Sequence, residues 1–308
     1  MLVLQDENKR GPPVIGPTAT GKSDLAVQLA RELGGEVVNA DAMQLYQGMD
    51  IGTAKLPAAA RCGVRHHLID VLDVTQTASV AAYQRDARRV VEQLLAAGRV
   101  PVLTGGSGLY VRAVLDELDF PGTAPELRAE LEDELARHGA PALHERLHRL
   151  DPVAAGRILP SNGRRLVRAL EVIRITGRPF SAALPPPGPP RYRTVFVGLD
   201  TDVAVLDARV GARVDRMFAQ GLIAEVRDLL LRGLRAGQTA SRALGYHQII
   251  AALDAGADPA QTAAPIAAAT RRFVRRQRSW FRRDDRINWL DCQRPDLLDR
   301  ALGQVLDG

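Results

Sequence analysis

Gly16-Pro17-Thr18-Ala19-Thr20-Gly21-Lys22-Ser23 follows the apolar pair Val14-Ile15 and opens a helical pattern over Asp24 to Leu33. It reads G-x-x-x-x-G-K-S, the phosphate-binding loop. Gly16 and Gly21 let the backbone turn tightly, so that successive N–H groups converge on phosphate oxygens. The helix that follows adds partial positive charge at its N-terminus. Lys22 supplies a mobile point charge, and the Ser23 hydroxyl can ligate a Mg2+ carried by the phosphates. Strand, loop and helix in this order set the expected fold class as α/β, a P-loop NTPase-like parallel sheet.

Moving outward, Glu36 to Asp41 reads as a second buried strand with Asp41 at its carboxyl end. His67 to Asp70 reads as a third strand, and a helix is predicted from Ser79 to Ala97 with Val80, Tyr83, Ala87, Val90, Val91 and Leu94 at helical spacing. Val100 to Thr104 is another strand and runs into Gly105-Gly106-Ser107-Gly108. Alternating strands and helices imply a parallel sheet, whose ligands bind at the carboxyl ends of strands. Asp41, Ser107 and the phosphate loop should therefore converge. Pro12 and Pro13 remove two ladder donors, so the first strand should be short.

From Arg112 the texture becomes helix after helix, including Pro125 to Arg137 and a helix capped by Ser161 or Asn162 that runs to Ile175. A stiff connector, Leu184-Pro185-Pro186-Pro187-Gly188-Pro189-Pro190, leads back to a strand over Arg193 to Leu199. Helices are expected at 203–220, 222–231, 240–255 and 265–283, then a last strand at 287–290. The domain reading is a core of 1–111 and 185–308 interrupted by a helical insertion at 112–184.

The 41 basic residues include lysine only at Lys9, Lys22 and Lys55, so 38 are arginine. A lysine that survives this bias marks a place where a planar fork would not fit, and Lys55 shares that reading with Lys22. Net charge is +5, which suits a polyanionic partner. Cys62 and Cys292 are too few for a disulfide framework or a cysteine-rich zinc site and fit a reducing cytosol. No apolar run is long enough to span a bilayer, so no membrane partner is expected. The expected assembly is a monomer in the cytoplasm.

Three constellations carry chemistry. Asp41 beside a phosphate loop can approach Mg2+ through water or accept a proton from an attacking group. The Gly105 to Gly108 turn can place N–H groups and the Ser107 hydroxyl beside a ligand. Arg271 to Arg286 holds eight arginines against Asp284 and Asp285. Arg271, Arg275, Arg278 and Arg282 share one helical face and read as a phosphate footprint for RNA. Gln277, in the opposite apolar stripe with Phe273, Val274, Trp280 and Phe281, needs partners that a nucleotide base could supply. Adjacent His66 and His67 point to opposite faces of a strand and do not suggest a metal site.

Together these segments resemble bacterial tRNA dimethylallyltransferases. The resemblance runs from Val14 to Asp291 and rests on the loop, Asp41 to Tyr46, Gly48 to Lys55, His67 to Asp70 and Gly105 to Tyr110. It continues through Arg164 to Glu171, Arg213 to Met217, Gly221-Leu222, Glu225-Val226, Gly245-Tyr246, Arg276-Gln277 and Trp280 to Arg282. It implies transfer of a dimethylallyl group from dimethylallyl diphosphate to N6 of an adenosine at position 37, beside the anticodon in the anticodon stem-loop of tRNA. By that resemblance Gly16, Pro17, Thr18, Ala19, Thr20, Gly21, Lys22 and Ser23 grip diphosphate. Asp41 holds the adenine and acts as base, Ser107 lies near the allylic oxygen, and Arg213 neutralises the leaving diphosphate. The stretches that match tRNA contacts are Asp41, Ala42, Met43 and Gln44; Arg128; Arg164, Arg165, Leu166, Val167 and Arg168; and Arg242, Ala243, Leu244, Gly245, Tyr246 and His247. Ala42 stands where the family usually has serine. A small-molecule P-loop kinase, an RNA-binding P-loop protein that switches without transfer chemistry, and a prenyltransferase for free adenine nucleotides are the alternatives.

Overall fold

The computed structural model describes residues 11–183 and 185–307. The polar N-terminal segment through Arg10, with Lys9, and Leu184 of the connector lie outside them. In chain order the elements are β1 (Pro13–Ile15), α1 (Lys22–Glu32), β2 (Glu36–Asn39), β3 (His66–His67), α2 (Val80–Ala96), β4 (Pro101–Gly105) and α3 (Gly108–Leu115). Then come α4 (Pro125–Leu150), α5 (Pro152–Ala155), α6 (Gly163–Thr176), β5 (Phe196–Asp200), α7 (Val203–Ala219), α8 (Leu222–Leu231), α9 (Tyr246–Asp254), α10 (Ala263–Phe281), β6 (Ile287–Asp291) and α11 (Leu297–Asp307). The chain forms two compact units, one up to Leu115 and again from Pro190, the other Asp116–Pro189.

In the larger unit six strands form one parallel sheet in the order β3-β2-β4-β1-β5-β6. The short β1 is central, and Pro13 enters at its first residue, opposite Leu103, where a proline is tolerated. Strands β2, β4 and β1 are neighbours and all run the same way. The segments after Asn39, Gly105 and Ile15 therefore leave one edge of the sheet side by side. The sheet core joins Val14, Val37, Val102, Val197 and Leu199 to Leu25 and Leu29 of α1 and to Ala301 and Val305 of α11. A second core gathers α7 to α10 around Tyr46, Met49, Met217, Leu222 and Tyr246.

Local chemistry explains where elements depart from the sequence reading. β2 stops at Asn39 because the Asn39 side chain captures the N–H of Asp41 at 2.9 Å. The helix expected over 240–255 begins only at Tyr246, after Gly245 at φ 92. The helix that begins at Pro125 continues to Leu150 across a break at Gly139, where φ is 77. The sequence reading lacks α11, although Asp296 stands at its N-cap position and its carbonyl accepts the Arg300 N–H at 3.1 Å. Arg112 belongs to α3 of the larger unit. The surviving Lys55 is structural: its buried ammonium donates to the Tyr46 carbonyl at 2.9 Å, Asp50 at 2.6 Å and Asp70 at 2.5 Å. Three divergent donors from one point suit an ammonium, not a fork.

The smaller unit packs Leu131, Leu143 and Leu147 of α4 against Leu166, Val167 and Leu170 of α6. Asn162 caps α6 by accepting from the Arg165 N–H at 3.3 Å. Glu171, fully buried on α6, takes a two-pronged contact from Arg128 and a 2.7 Å contact from Arg168. Burial opposes its ionisation, but hydrogen bonds from Arg128 and Arg168 and their charges hold its pKa below the ordinary 4.5. A depressed carboxylate contributes stability that is complete above 4.5 and is lost as pH falls through the folded value. Glu171→Gln is expected to destabilise the protein by about 3 kcal/mol at neutral pH, because it strands two arginines. Denaturant melts at pH 7 and pH 4 check this, and the gap between variant and parent should narrow at pH 4.

Candidate active site

The phosphate loop has the backbone of an anion cradle. Gly16 lies at φ 146, Ala19 at 72 and Gly21 at 78. Ala19 is the notable member, since a residue with a side chain in the left-handed region is strained and persists only where its surroundings hold it. Its side chain packs on Leu206 and Val210 of α7 and Val274 of α10. At Gly16 a Cβ would lie 2.3 Å from the Leu199 carbonyl oxygen, so only glycine fits between β1 and β5. The Thr20 hydroxyl closes the turn on the Pro17 carbonyl at 2.9 Å, and the Lys22 ammonium reaches the same carbonyl at 3.3 Å.

The turn after β4 carries three glycines for reasons of close approach. A Cβ at Gly105 would meet the Ala40 carbonyl at 2.2 Å, at Gly106 the Gln277 amide at 2.3 Å and at Gly108 the Trp280 indole nitrogen at 2.1 Å. Gln277 is buried, as its place in the apolar stripe predicts, but its partners are protein. It donates to the Gly106 carbonyl at 2.9 Å and accepts the Thr18 N–H at 2.9 Å. This corrects the expectation of a base-reading amide, and it also turns the Thr18 N–H away from a phosphate. Gln277 instead ties the phosphate loop to the Gly-rich turn.

Asp41 lies two residues beyond β2. Its Oδ1 accepts the Met43 N–H at 3.0 Å, and its own N–H is held by Asn39. The Ser107 hydroxyl accepts the Ala42 N–H at 3.3 Å. A cavity of about 570 Å³ is lined by Thr18, Asp41, Ala42, Met43, Ser107 and Arg213, together with Arg242, Ala243, Leu244, Gly245 and His247. Burial lowers the pKa of Lys22 to about 8, opposed by the charge of Asp41 and reinforced by Arg213. Burial likewise lowers the pKa of Arg213, again opposed by Asp41. Asp41 thus faces two desolvated cations, one negative charge to two positive, which is the electrostatic state of a site built for a negatively charged ligand.

Other expected contacts are placed differently. Gln44 donates to the Thr53 carbonyl at 3.2 Å. Tyr246 is fully buried, with its hydroxyl on Glu225 at 2.6 Å, so it cannot present a group to a large partner. In the smaller unit Arg164 and Arg165 are exposed, whereas Leu166 and Val167 belong to the core. Arg168 also donates to the carbonyls of Gly122 and Pro121, a clamp within that unit.

The arginine row on α10 is engaged in the fold. Arg275 pairs with Asp207 at 2.8 Å, while Arg278 and Arg282 pair with Asp200 at 2.9 and 2.6 Å. Arg271 donates to the Asp207 carbonyl at 3.4 Å. Asp200 and Asp207 are far from α10 in sequence, so a charge count along the helix could not find them. The arginines of α10 that line the cavity are instead Arg272 and Arg276, with Phe273 between them and the Arg276 guanidinium 5.7 Å from the Phe273 ring. Their own i, i+4 spacing was the available signal, masked by the longer row beside it.

Residues 44–284 match the IPP transferase family model. The chain is 69% identical over 284 residues to a tRNA dimethylallyltransferase of Saccharopolyspora erythraea, covering 92% of each. It is 59% identical over 293 residues to a tRNA dimethylallyltransferase of a Mycobacterium species, covering 94% of this chain and 96% of that one. The crystal structure of the full-length tRNA isopentenylpyrophosphate transferase from Bacillus halodurans superposes with a TM-score of 0.71 at 37% identity, covering 97% of both chains. The phosphate loop, the strand-end carboxylate and the sheet that brings them together are thus those of a chain that belongs to the tRNA dimethylallyltransferase family, enzymes that transfer a dimethylallyl group to tRNA.

Proposed function

We propose that the donor is dimethylallyl diphosphate and that the acceptor atom is N6 of the adenosine at position 37, beside the anticodon. The observation that carries this reading is the cavity in which Asp41, Ser107, Arg213 and the phosphate-loop residue Thr18 meet. An exocyclic adenine nitrogen is a poor nucleophile inside a base stack and has to be drawn into a pocket before it can react. The N6–C1 bond forms as the allylic C1–O bond breaks, the bonding pair leaves with diphosphate, and Asp41 takes the N6 proton. Lys22 and Arg213 meet the charge that builds on the leaving group. The walls of the cavity keep water from the allylic carbon, which would otherwise be hydrolysed.

Mg2+ fits the donors at the loop. Ser23, half-buried in the first turn of α1, offers one hydroxyl, and Mg2+ takes its remaining oxygens from phosphate and water more readily than from an all-protein cage. When bound there it would help neutralise the diphosphate.

Incubation of tRNA with the protein and dimethylallyl diphosphate, followed by nucleoside mass analysis, tests the reading. Adenosine carrying one dimethylallyl group at N6 is the expected product. Modification of free adenine nucleotides with no change to tRNA would overturn it. The same reading assigns RNA phosphates to Arg272 and Arg276 rather than to the ion-paired row. Replacing both with glutamine should flatten log K against log salt for tRNA by about 1.4 units, at about 0.7 for each phosphate contact. Arg275→Gln with Arg278→Gln should leave the slope unchanged and lower the melting temperature. Binding across a salt series and thermal melts separate the two pairs.

A further inference from the structure

The segment from Met49 to Lys55 runs beside the cavity and is gripped by the half-buried Glu225 and the buried Tyr246. Glu225 of α8 aims its carboxylate at this backbone: Oε2 accepts the N–H groups of Asp50 at 3.1 Å and Ile51 at 2.7 Å. Oε1 accepts the N–H of Gly52 at 3.2 Å and the Tyr246 hydroxyl at 2.6 Å. Three successive N–H groups around one anion form a nest, filled here by the protein's own carboxylate. Burial and then the charge of Glu225 push the Tyr246 pKa up, so its hydroxyl remains a donor. The approach is close, since a Cβ at Gly52 would lie 2.5 Å from the Tyr246 ring. Lys55 fixes the far end of the segment through Tyr46, Asp50 and Asp70.

The segment presents the Thr53 carbonyl toward the site. That oxygen accepts from Gln44 Nε2 at 3.2 Å and from Arg213 Nη2 at 3.4 Å. Arg213 has five N–H donors in a rigid fork, so a neutral carbonyl on one edge orients the group and leaves the other donors for an anion. A carboxylate in the same place would compete with the diphosphate for the charge.

We propose that Glu225 is a positioning residue for the transfer reaction: by holding the backbone of 50–52 with Tyr246, it sets the Thr53 carbonyl that orients Arg213 on the leaving diphosphate. The proposal rests on the assignment of Arg213 made above. Geometry of this kind has leverage, because a displacement of about 1 Å at a catalytic group can cost on the order of a hundredfold in rate.

The test uses single-turnover transfer at saturating substrates, tRNA affinity, and a double-mutant cycle. Glu225→Gln places an amide NH2 against at least one backbone N–H whichever way it turns, and Tyr246→Phe removes only the phenolic donor. Glu225→Gln should slow transfer about tenfold or more and Tyr246→Phe a few-fold, with tRNA affinity within about twofold. In an Arg213→Ala background each should add less than about a twofold loss, because residues acting through one group are not additive. Losses that multiply in full in that background, or an unchanged rate in the parent background, overturn the proposal. If Glu225→Gln fails to fold, Tyr246→Phe, which keeps all three backbone contacts to Glu225, decides the question by the same comparison. Full activity of Arg213→Ala overturns the assignment of Arg213 itself, an outcome distinct from independent losses.

Discussion

Asp41→Asn folds, binds tRNA and dimethylallyl diphosphate, and transfers the dimethylallyl group about 10²- to 10⁴-fold more slowly. The fold survives because asparagine can make the contacts that fix residue 41. The Asn39 side chain holds the backbone N–H, and an amide oxygen can still accept from Met43. The changed atom is the second oxygen, which becomes an NH2 and can no longer take a proton. A second consequence is electrostatic. The charge of Asp41 opposes the desolvation of Lys22 and Arg213 and also repels an incoming anion, so without it both cations depend more on diphosphate. Binding of dimethylallyl diphosphate should therefore hold or tighten while chemistry fails. Single-turnover rates beside equilibrium titrations of each substrate measure the two effects. A near-normal single-turnover rate would leave Asp41 with the role of orienting the base alone.

The sheet and its site edge were legible because local signals agreed with the global fold. The loop glycines, the apolar runs ending at Ile15 and Thr104, and the strand before Asp41 each pointed to a parallel sheet with its ligands at the strand ends. What escaped reading was pairing across distance. Gln277 looked like a base reader because a buried amide needs partners, and its partners were Gly106 and Thr18, more than 170 positions away. The arginine row on α10 looked like a phosphate footprint because Asp200 and Asp207 are silent in the local charge count. Glu225 entered only as part of the family motif Glu225-Val226, with no role, and only the fold brings it under the backbone of Asp50 to Gly52. Within Arg164 to Arg168 the motif mixed two roles, exposed arginines and core Leu166 and Val167, which a contiguous match cannot separate.

Lys22→Ala should cost about 2–4 kcal/mol of transition-state stabilisation, the range for loss of one positioned group at a site of developing charge. Arg213→Ala should fall in the same range. The structure adds a stability signature to the kinetic one. Burial lowers the Lys22 pKa to about 8, so the free protein holds this ammonium, at neutral pH, in a place that disfavours it. Among the described residues its ammonium donates to the Pro17 carbonyl at 3.3 Å, a weak contact for a charge. Removing the ammonium takes away a desolvated cation, so the melting temperature of the free variant should equal or exceed that of the parent. Diphosphate relieves the same unfavourable state by supplying the missing anion, so it should raise the melting temperature of the parent more than that of Lys22→Ala. tRNA affinity should change little, because the ammonium faces the loop rather than the arginines of α10. Thermal melts with and without inorganic diphosphate, beside single-turnover transfer, test this opposition of stability and function. A variant with full turnover, or one whose diphosphate-induced shift matches the parent, would remove Lys22 from the leaving-group site.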